Sequence, residues 1–311
     1  MNNIEYNKIL KFSNEVLLKS GVNKTISKIV SEGLCSTSLR GTDSHGIRLL
    51  EHYSKSAISG RKNPKPKLKI KKPFQSIISI DADNTFGHYV GIKAVDEGIK
   101  IAKKNGICLV SVSNSTHCGA LAHSAIHGAK KGYIVMSFTN ADSLALTFNS
   151  KETFFGTNPI CFAAPRLNQE PFCLDMATTQ ISWNKMLERK NKNQNFNEKI
   201  LGDKNGNATG NTKIASSLLS IGGYKGFGLA MLVEILCGVY SGMNVGKEIP
   251  AMFTTPIELK RKLSQLYIII RTDGVITNKK FITKLSKVSN QIRKQKTFKS
   301  KKVMVADDPE I

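Results

Sequence analysis

The chain has 311 residues, 40% of them hydrophobic, enough to bury one large core or two ordinary ones. Lys and Arg number 46 against 23 Asp and Glu, so the formal net charge is +23. The longest apolar run, residues 226–240, spans about 15 residues and contains Glu234, which is too short for a membrane span. The sequence opens without a basic head and apolar run, so we expect a cytoplasmic protein with no membrane anchor.

The excess positive charge is spread along the chain and is densest in residues 255–302. This segment has 14 Lys and Arg against Glu258 and Asp273, a net charge of 14 − 2 = +12. Basic segments attract polyanions, but this one has few aromatic side chains to stack on bases and no nucleic-acid motif. We therefore favour a solvated basic surface and expect no nucleic-acid partner.

Helical periodicity dominates the first sixty residues. Apolar side chains at three- and four-residue intervals predict helix over residues 4–38. The turn 41–44 offers Asp and Ser as N-caps for a second helix over residues 46–59. Gly and Pro in residues 60–66 then predict a linker.

Strands and helices alternate in the next part of the chain. The pattern predicts strands over residues 76–81, 107–113 and 133–139, and helices over residues 88–104 and 120–131. Such alternation is typical of an α/β fold with a largely parallel or mixed sheet. The loop 82–87 after the first strand lacks G-x-G-x-x-G, so a Rossmann nucleotide site is not expected there.

The later segments are less regular. Residues 190–210 are polar and predict an exposed excursion. Residues 221–228 combine glycines with Lys225 at a helix start, which suits either phosphate binding or close helix packing. Residues 279–302 have the spacing of a basic amphipathic helix.

The six cysteines form no C-x-x-C pair, and several lie in apolar segments, so we expect buried thiols. His123 and His127 would share a helix face, but no third ligand is evident nearby, and no metal site is expected. The cysteines are Cys35, Cys108, Cys118, Cys161, Cys173 and Cys237.

Two histidines lie in polar, glycine-flanked turns, His45 in residues 43–48 and His117 in residues 114–119. Imidazole titrates near neutrality and is well suited to proton transfer. Arg48 follows His45 by three residues and adds a cation that can bind a carboxylate. Together they indicate acid–base chemistry on a small anionic substrate, although a single histidine is more often structural.

Five motifs occur in an order that resembles the malate/L-lactate dehydrogenase family. This family is distinct from the Rossmann-type lactate and malate dehydrogenases and includes ureidoglycolate dehydrogenase, sulfolactate dehydrogenase and diketogulonate reductase. The motifs are Asp43-Ser44-His45-Gly46, Asn114-Ser115-Thr116-His117-Cys118-Gly119, Gly156-Thr157-Asn158-Pro159, Leu174-Asp175-Met176-Ala177-Thr178 and Gly222-Gly223-Tyr224-Lys225-Gly226-Phe227-Gly228.

The resemblance implies an oxidoreductase that moves a hydride between NAD or NADP and a small 2-hydroxy or 2-oxo acid, usually as a homodimer. It implies His117 as general acid and base, with His45 opposite, and Arg48 and Tyr53 as substrate-binding residues. The implied cofactor-binding residues are Asn140, Asn158, Asp175, Met176, Ala177, Thr178, Tyr224, Lys225 and Asp307.

The same resemblance implies a non-Rossmann α/β cofactor domain with a mixed sheet flanked by helices, plus a smaller, mostly helical domain. We expect residues 1–72 to form an N-terminal helical segment with substrate-side residues. Residues 73–255 would form the cofactor-binding domain, and residues 256–311 a basic segment packing back on the N-terminal part.

Two departures from the family pattern stand out. His88 occupies a turn where glutamine is usual, a change we expect to be neutral. Asp307 occupies the place of a glycine, and family members continue with about one helix and strand beyond this point. The alternatives are therefore an inactive pseudo-enzyme with a shortened C-terminus or, less favoured, a polyanion-binding protein on the same scaffold.

Overall fold

The structure, a computed structural model, describes residues 4–310. They form eight α-helices, with short 3₁₀ turns at Asp43–His45, Ile47–Leu49, Gly246–Glu248 and Asp308–Glu310. The helices are α1 (Tyr6–Lys19), α2 (Lys24–Leu39), α3 (Leu50–Ile58), α4 (Gly87–Asn105), α5 (Ala122–Lys130), α6 (Trp183–Asn191), α7 (Tyr224–Glu234), which continues as a π-turn over Ile235–Val239, and α8 (Asn278–Arg293).

The described residues also form twelve strands, which make two sheets. The strands are β1 (Lys69–Phe74), β2 (Ile77–Asp81), β3 (Ile107–Ser115), β4 (Tyr133–Thr139), β5 (Ala145–Leu146), β6 (Thr153–Phe155), β7 (Ile160–Ala164), β8 (Phe172–Met176), β9 (Leu201–Asp203), β10 (Ala208–Thr209), β11 (Ala215–Leu218) and β12 (Leu263–Arg271).

The N-terminal part is a helical layer, as the periodicity predicts, but residues 4–38 form two helices. The chain turns between α1 and α2, where Gly21 has φ +83°. Asn23 caps α2, because its Oδ1 accepts hydrogen bonds from the backbone N–H groups of Thr25 and Ile26 at 2.9 and 3.1 Å. The apolar faces of α1, α2 and α3 meet in a core that includes Leu17 and Tyr53, both fully buried.

The large sheet has the strand order β1-β2-β3-β12-β4-β7-β8, which makes it the mixed sheet of the predicted α/β fold. Only β2 and β3 pair in parallel; the other neighbours are antiparallel. Helices α4 and α5 pack on it over a core of small and branched side chains, among them Ile78, Val110 and Val135. Since β12 lies antiparallel between β3 and β4, a largely parallel sheet does not form.

Strand β12 corrects the expectation that residues 256–311 pack back on the N-terminal part. Tyr267 pairs with Val110 of β3 on one side and with Ser137 of β4 on the other, in the middle of the sheet. Residues 266–270 are apolar, and three of them are the β-branched Ile, which favours a strand. The many lysines on both sides make the segment basic on average, so its overall composition does not reveal this strand. The division of the chain into three segments otherwise stays a prediction.

The small sheet has the strand order β10-β9-β11-β5-β6. Its strands β9 and β10 are formed by part of residues 190–210, where we expected an exposed excursion. Leu201 of β9 is fully buried there, against Met186 of α6. Helix α8 is shorter than predicted and ends at Arg293. It contacts the β7–β8 loop, where Ser286 Oγ accepts a hydrogen bond from the backbone N–H of Leu167 at 2.8 Å.

Residues 60–66 have no regular structure, as a linker would, yet Arg61 and Lys62 within them are only 2% exposed. The Arg61 guanidinium donates to the carbonyl oxygens of Met252, Thr255 and Pro256 at 2.8, 3.3 and 2.6 Å. The segment is therefore an anchored part of the core. None of the helices described for residues 4–310 is long and apolar enough to cross a membrane.

Candidate active site

The structure brings together the two histidines that the sequence singles out, which we call the histidine pair. The rings of His45 and His117 stack with their centroids 5.6 Å apart and their planes inclined by 22°. His45 ends the 3₁₀ turn after α2, and His117 lies in the loop after β3. Both side chains are partly buried. The two imidazoles, which come from separate elements, therefore face one another.

Tyr53 of α3 contacts His117 through its hydroxyl group. Its hydroxyl lies 2.7 Å from His117 Nδ1 and 3.3 Å from the carbonyl oxygen of the same residue. The backbone nitrogen of Gly119 also lies 3.3 Å from Nδ1. Since Tyr53 is fully buried, the structure shows it orienting the imidazole. The role expected from the sequence, as a hydroxyl donor to the substrate, stays a prediction.

Gly119 is required by this packing. Its φ is +65°, and a Cβ at this position would lie 2.3 Å from Nε2 of His88. The His88 ring is in turn 5.7 Å from the Tyr53 ring. Side chains from α3 and α4 therefore press directly against the His117 loop, which limits its freedom to move.

Cations surround the histidine pair. Lys62 Nζ donates to Thr116 Oγ1 at 2.7 Å, next to His117 in the chain. Arg261 forms a buried ion pair with Asp142, and its Nε donates to the carbonyl oxygen of Pro250 at 2.8 Å. Sequence reasoning missed these residues, because a single Lys, Arg or Asp in a basic chain carries no motif.

The electrostatics favour uncharged imidazoles in the free protein. Burial lowers the pKa of His117 well below its usual range, and the neighbouring His45, Lys62 and Arg261 act in the same direction. Burial also lowers the pKa of His45. At neutral pH both rings are therefore uncharged.

Arg48 lies beside the histidine pair in sequence but points to solvent here. Its side chain is 59% exposed, and its Nη1 lies 3.8 Å from Glu188 Oε2 of α6. The start of α6 also reaches the His45 turn, where Asn184 Nδ2 donates to the carbonyl oxygen of Ser44 at 2.8 Å. Arg48 thus stands at the rim of the site, held by an exposed ion pair.

The end of β8 approaches the His117 loop. Asp175 Oδ2 accepts a hydrogen bond at 2.8 Å from the backbone N–H of Ala122, the first residue of α5. Met176 and Ala177 are partly exposed, whereas Thr178 is buried and donates from its hydroxyl to the carbonyl oxygen of Thr157 at 3.0 Å. The Asp175 side chain is therefore tied to the start of α5, a few residues after His117 in the chain.

The same strand end leads to the start of α7. The backbone N–H of Ile221 donates to the carbonyl oxygen of Thr178 at 3.0 Å. Gly222 and Gly223 follow with φ of +54° and +63°, and Tyr224 and Lys225 are exposed in the first turn of the helix. Backbone N–H groups and one ammonium thus lie together at a helix N-terminus, a site suited to anions.

The structure does not bring two of the expected amides to this surface. Asn140 and Asn158 are buried, and their amides bind the protein itself. Asn158 donates to Glu234 Oε2 at 2.7 Å, and Asn140 donates to the carbonyl oxygen of Asn244 at 3.1 Å. The Asn158 amide thereby ties α7 to the segment before β7, and the cofactor contacts expected of Asn140 and Asn158 stay a prediction.

Asp307 is likewise turned inward. Its Oδ2 lies 2.7 Å from Arg166 Nη2, and both side chains are essentially unexposed. Its φ of +84° lies in the left-handed region that favours glycine, which agrees with the glycine expected here from the family pattern. The carboxylate faces Arg166 and is not presented to a cofactor phosphate.

Similarity to known proteins agrees with this geometry. A profile of the malate/L-lactate dehydrogenase family matches residues 4–311. Ureidoglycolate dehydrogenase (NAD(+)) of Escherichia coli (strain K12) is 30% identical over 276 residues, which are 89% of this chain and 79% of that protein. Malate dehydrogenase of Pyrococcus horikoshii is 32% identical over 298 residues, which are 92% of this chain and 81% of that protein.

The solved structure of sulfolactate dehydrogenase from Methanocaldococcus jannaschii superposes with a TM-score of 0.91 at 30% sequence identity, covering 99% of this chain and 89% of that one. Because the match covers nearly the whole chain, it extends over both sheets and the helical layer. The chain therefore belongs to the malate/L-lactate dehydrogenase family.

Proposed function

We propose that this protein is an oxidoreductase that transfers a hydride between a nicotinamide dinucleotide and a small 2-hydroxy or 2-oxo acid. The observation that carries the proposal is the histidine pair, with His117 oriented by Tyr53. Retention of both imidazoles favours an active enzyme over the pseudo-enzyme, and the buried carboxylate of Asp307 removes one reason to expect impaired cofactor binding.

The residues that remain exposed fit a dinucleotide. Met176 and Ala177 would line it, and the first turn of α7, with Tyr224 and Lys225, would receive its phosphates or ribose. The space beside the glycine turn 222–223 is open, since a Cβ at Gly222 would meet no heavy atom within 4 Å and one at Gly223 would meet only Phe148, at 3.8 Å. When bound, the nicotinamide supplies or accepts the hydride, which is the difficult part of the chemistry. We propose NAD, since one relative carries NAD(+) in its name, with NADP as the alternative to test.

The chain's own part in the reaction is the proton at His117 Nε2. For Nε2 to exchange a proton with the substrate oxygen, the ring must carry its other proton on Nδ1 in both the neutral and the protonated state. The Tyr53 hydroxyl oxygen then accepts from Nδ1–H, while its own proton is donated to the His117 carbonyl oxygen. Tyr53 therefore holds the tautomer in which Nε2 is the atom that gains and loses the proton. A general acid or base placed in this way contributes about 10²–10⁴-fold.

The substrate carboxylate would be held by Arg48. Its ion pair with Glu188 is long and exposed, and such pairs contribute little, so the guanidinium is free to turn toward an anion. A bidentate arginine–carboxylate contact would fix the carbonyl carbon relative to the cofactor. Ureidoglycolate, malate and sulfolactate, which appear in the names of relatives, define the first substrates to try.

We also propose a cytoplasmic homodimer. Six large apolar side chains on α7 and the turn that follows are between 37% and 64% exposed: Leu229, Met231, Leu232, Ile235, Val239 and Tyr240. Contiguous apolar surface of this kind marks an interface. Sedimentation velocity should give a dimer, and Ile235→Lys with Val239→Lys should shift it to the monomer. A wild-type monomer at micromolar concentration would contradict the dimer.

The test of function is the absorbance of the reduced nicotinamide during turnover. Purified protein is mixed with NADH or NADPH and each 2-oxo acid of a panel that includes oxaloacetate, pyruvate, 3-sulfopyruvate and oxalurate. We expect oxidation with one acid, lost in His117→Ala while NADH binding persists by fluorescence. NADH binding without turnover would favour the pseudo-enzyme, and no binding of either cofactor would contradict the proposal.

A further inference from the structure

Lys62 is the least expected charged group near the histidine pair. It lies in a segment that the sequence marks as a linker, yet its side chain is buried and its Nζ donates to Thr116 Oγ1 at 2.7 Å. Among the described residues its ammonium forms no ion pair with a carboxylate. Burying such a group is costly, and a neutral side chain of similar length would avoid the cost, so the position requires an explanation.

The contacts of Lys62 converge on His117. Its Nζ lies 4.3 Å from the centroid of the Tyr53 ring, in cation–π geometry. Tyr53 in turn binds His117 Nδ1. Thr116, the acceptor of the ammonium, directly precedes His117 and donates its own hydroxyl proton to the carbonyl oxygen of Thr85 at 2.8 Å. Lys62 thus contacts both the residue before His117 and the residue that orients its ring.

We propose that Lys62 is a positioning residue for the reaction: its buried side chain fixes the turn that carries His117 and places a positive charge beside the histidine pair. The role rests on the proposed function, because Lys62 acts through His117 and does not itself touch the reacting atoms. Its charge disfavours a second positive charge on the imidazole, which keeps His117 ready to accept the hydroxyl proton of a 2-hydroxy acid.

The groups that face His117 come from every element packed against it, and several of them change charge with pH. Burial lowers the pKa of Lys62 well below that of an ordinary lysine, and Arg261 and Arg61 lower it further. A protonated Lys62 and a protonated His117 therefore oppose one another. The surrounding titratable or charged groups are His45, Tyr53, Lys62, His88, Cys118, Asp142 and Arg261.

The experiment compares wild type with Lys62→Met, which keeps the length of the side chain and removes its charge. Histidine-labelled protein without substrate or cofactor is titrated by NMR from pH 9 down to the lowest pH at which both proteins stay folded, because the pKa of His117 lies well below its usual range. We expect the His117 resonance to titrate about one pH unit higher in Lys62→Met than in wild type. Lys65→Met, an exposed lysine of the same segment, should leave the His117 titration unchanged. An unchanged His117 titration in folded Lys62→Met would overturn the proposal even in a protein that shows no turnover.

Activity gives the second readout. In Lys62→Met we expect kcat for hydroxy-acid oxidation to fall about 10–100-fold, with the acidic limb of the pH profile moved upward and the KM for cofactor unchanged. Thr116→Ser keeps the hydroxyl and should retain kcat, whereas Thr116→Val should lose it to a similar extent. Equal activity of the serine and valine variants would show that the contact with Lys62 does not position His117.

Discussion

Two corners of the molecule bury an arginine–aspartate pair, and they differ in how well the pair is satisfied. Beside the histidine pair, Arg261 also donates to Pro250, and Asp142 Oδ2 accepts from the backbone N–H of Met252 at 3.3 Å. At the tail, Arg166 Nη1 and Asp307 Oδ1 have no hydrogen-bond partner among the described residues. We call Arg166 and Asp307 the tail ion pair.

The difference is visible in the titration of the tail carboxyl. Burial raises the pKa of Asp307 to about 6, and the nearby Arg166 only partly opposes this. A buried charge is stabilised by several well-placed partners and is destabilising when one partner is missing. The Arg261–Asp142 pair is therefore well stabilised beside the histidine pair, whereas the tail ion pair lowers the stability of the folded state.

The largest effect expected in either corner comes from His117→Ala. Because His117 is only partly buried, the change should lower kcat/KM about 10²–10⁴-fold with little loss of thermal stability. His127→Ala, which removes an imidazole paired with Asp96 at 2.8 Å outside the site, is the matched control. Comparable losses of melting temperature and rate in His117→Ala would mark this histidine as structural.

The second-largest effect is on stability and concerns the buried ion pair between Arg261 and Asp142. Asp142→Asn leaves the Arg261 guanidinium buried without its carboxylate and should lower the free energy of unfolding by about 3–5 kcal/mol. Asp273→Asn breaks a half-exposed pair with Arg271, whose side chains are each 37% exposed, and should cost at most about 1 kcal/mol. Urea unfolding of both variants measures the difference, and similar costs would remove the contrast between buried and surface pairs.

A smaller effect is expected at the rim. Arg48→Met removes the guanidinium proposed to bind the substrate carboxylate, worth about 1.5–3 kcal/mol as a hydrogen bond to a charged group. The KM for the 2-oxo acid should rise roughly tenfold or more, while the affinity for NADH stays the same. Glu188→Gln should slightly lower KM, because it frees Arg48. Unchanged KM in Arg48→Met would assign carboxylate binding to another cation.

The smallest effect is the pH dependence of the tail ion pair. Since the folded-state pKa of Asp307 is raised from 3.8 to about 6, the folded protein holds the proton more tightly than the unfolded chain. The stability that this proton contributes is present below pH 4 and is lost as the pH rises to 6. Relative to Asp307→Asn, wild type should lose on the order of 1–3 kcal/mol across this window. A wild type that becomes more stable relative to Asp307→Asn between pH 4 and pH 6 would contradict this sign.

The sequence predicts the order of the elements well where periodicity is strong and local. Helices α4 and α5 and strands β2, β3 and β4 lie close to their predicted ranges. The position of β12 could not be predicted, because pairing between residues 126 to 163 positions apart leaves no local pattern. The turn at 20–23 is not predicted, because apolar residues recur at helical spacing on both sides of it, although Gly21 and the N-cap Asn23 are local signals for a turn.

In the candidate site, too, residues with a local sequence signal are predictable and residues whose role depends on burial are not. The histidines are recognisable because polar, glycine-flanked turns carry them, and the structure brings them together. Lys62 and Asp142 are not recognisable, because their role depends on burial. Asn140, Asn158 and Asp307 have the residue types of ligand contacts, but only the fold shows that their polar atoms point into the protein.

The central place of β12 has a consequence for biosynthesis. Strands β3 and β4 leave the ribosome more than a hundred residues before the strand that separates them in the finished sheet. Until it arrives, each presents an unpaired edge, the kind of surface that templates aggregation. Pairing at such long separation is slow to form, so we expect the nascent chain to need protection from aggregation for longer than its size alone suggests. A circular permutant that delivers β12 directly after β3 would shorten this vulnerable interval.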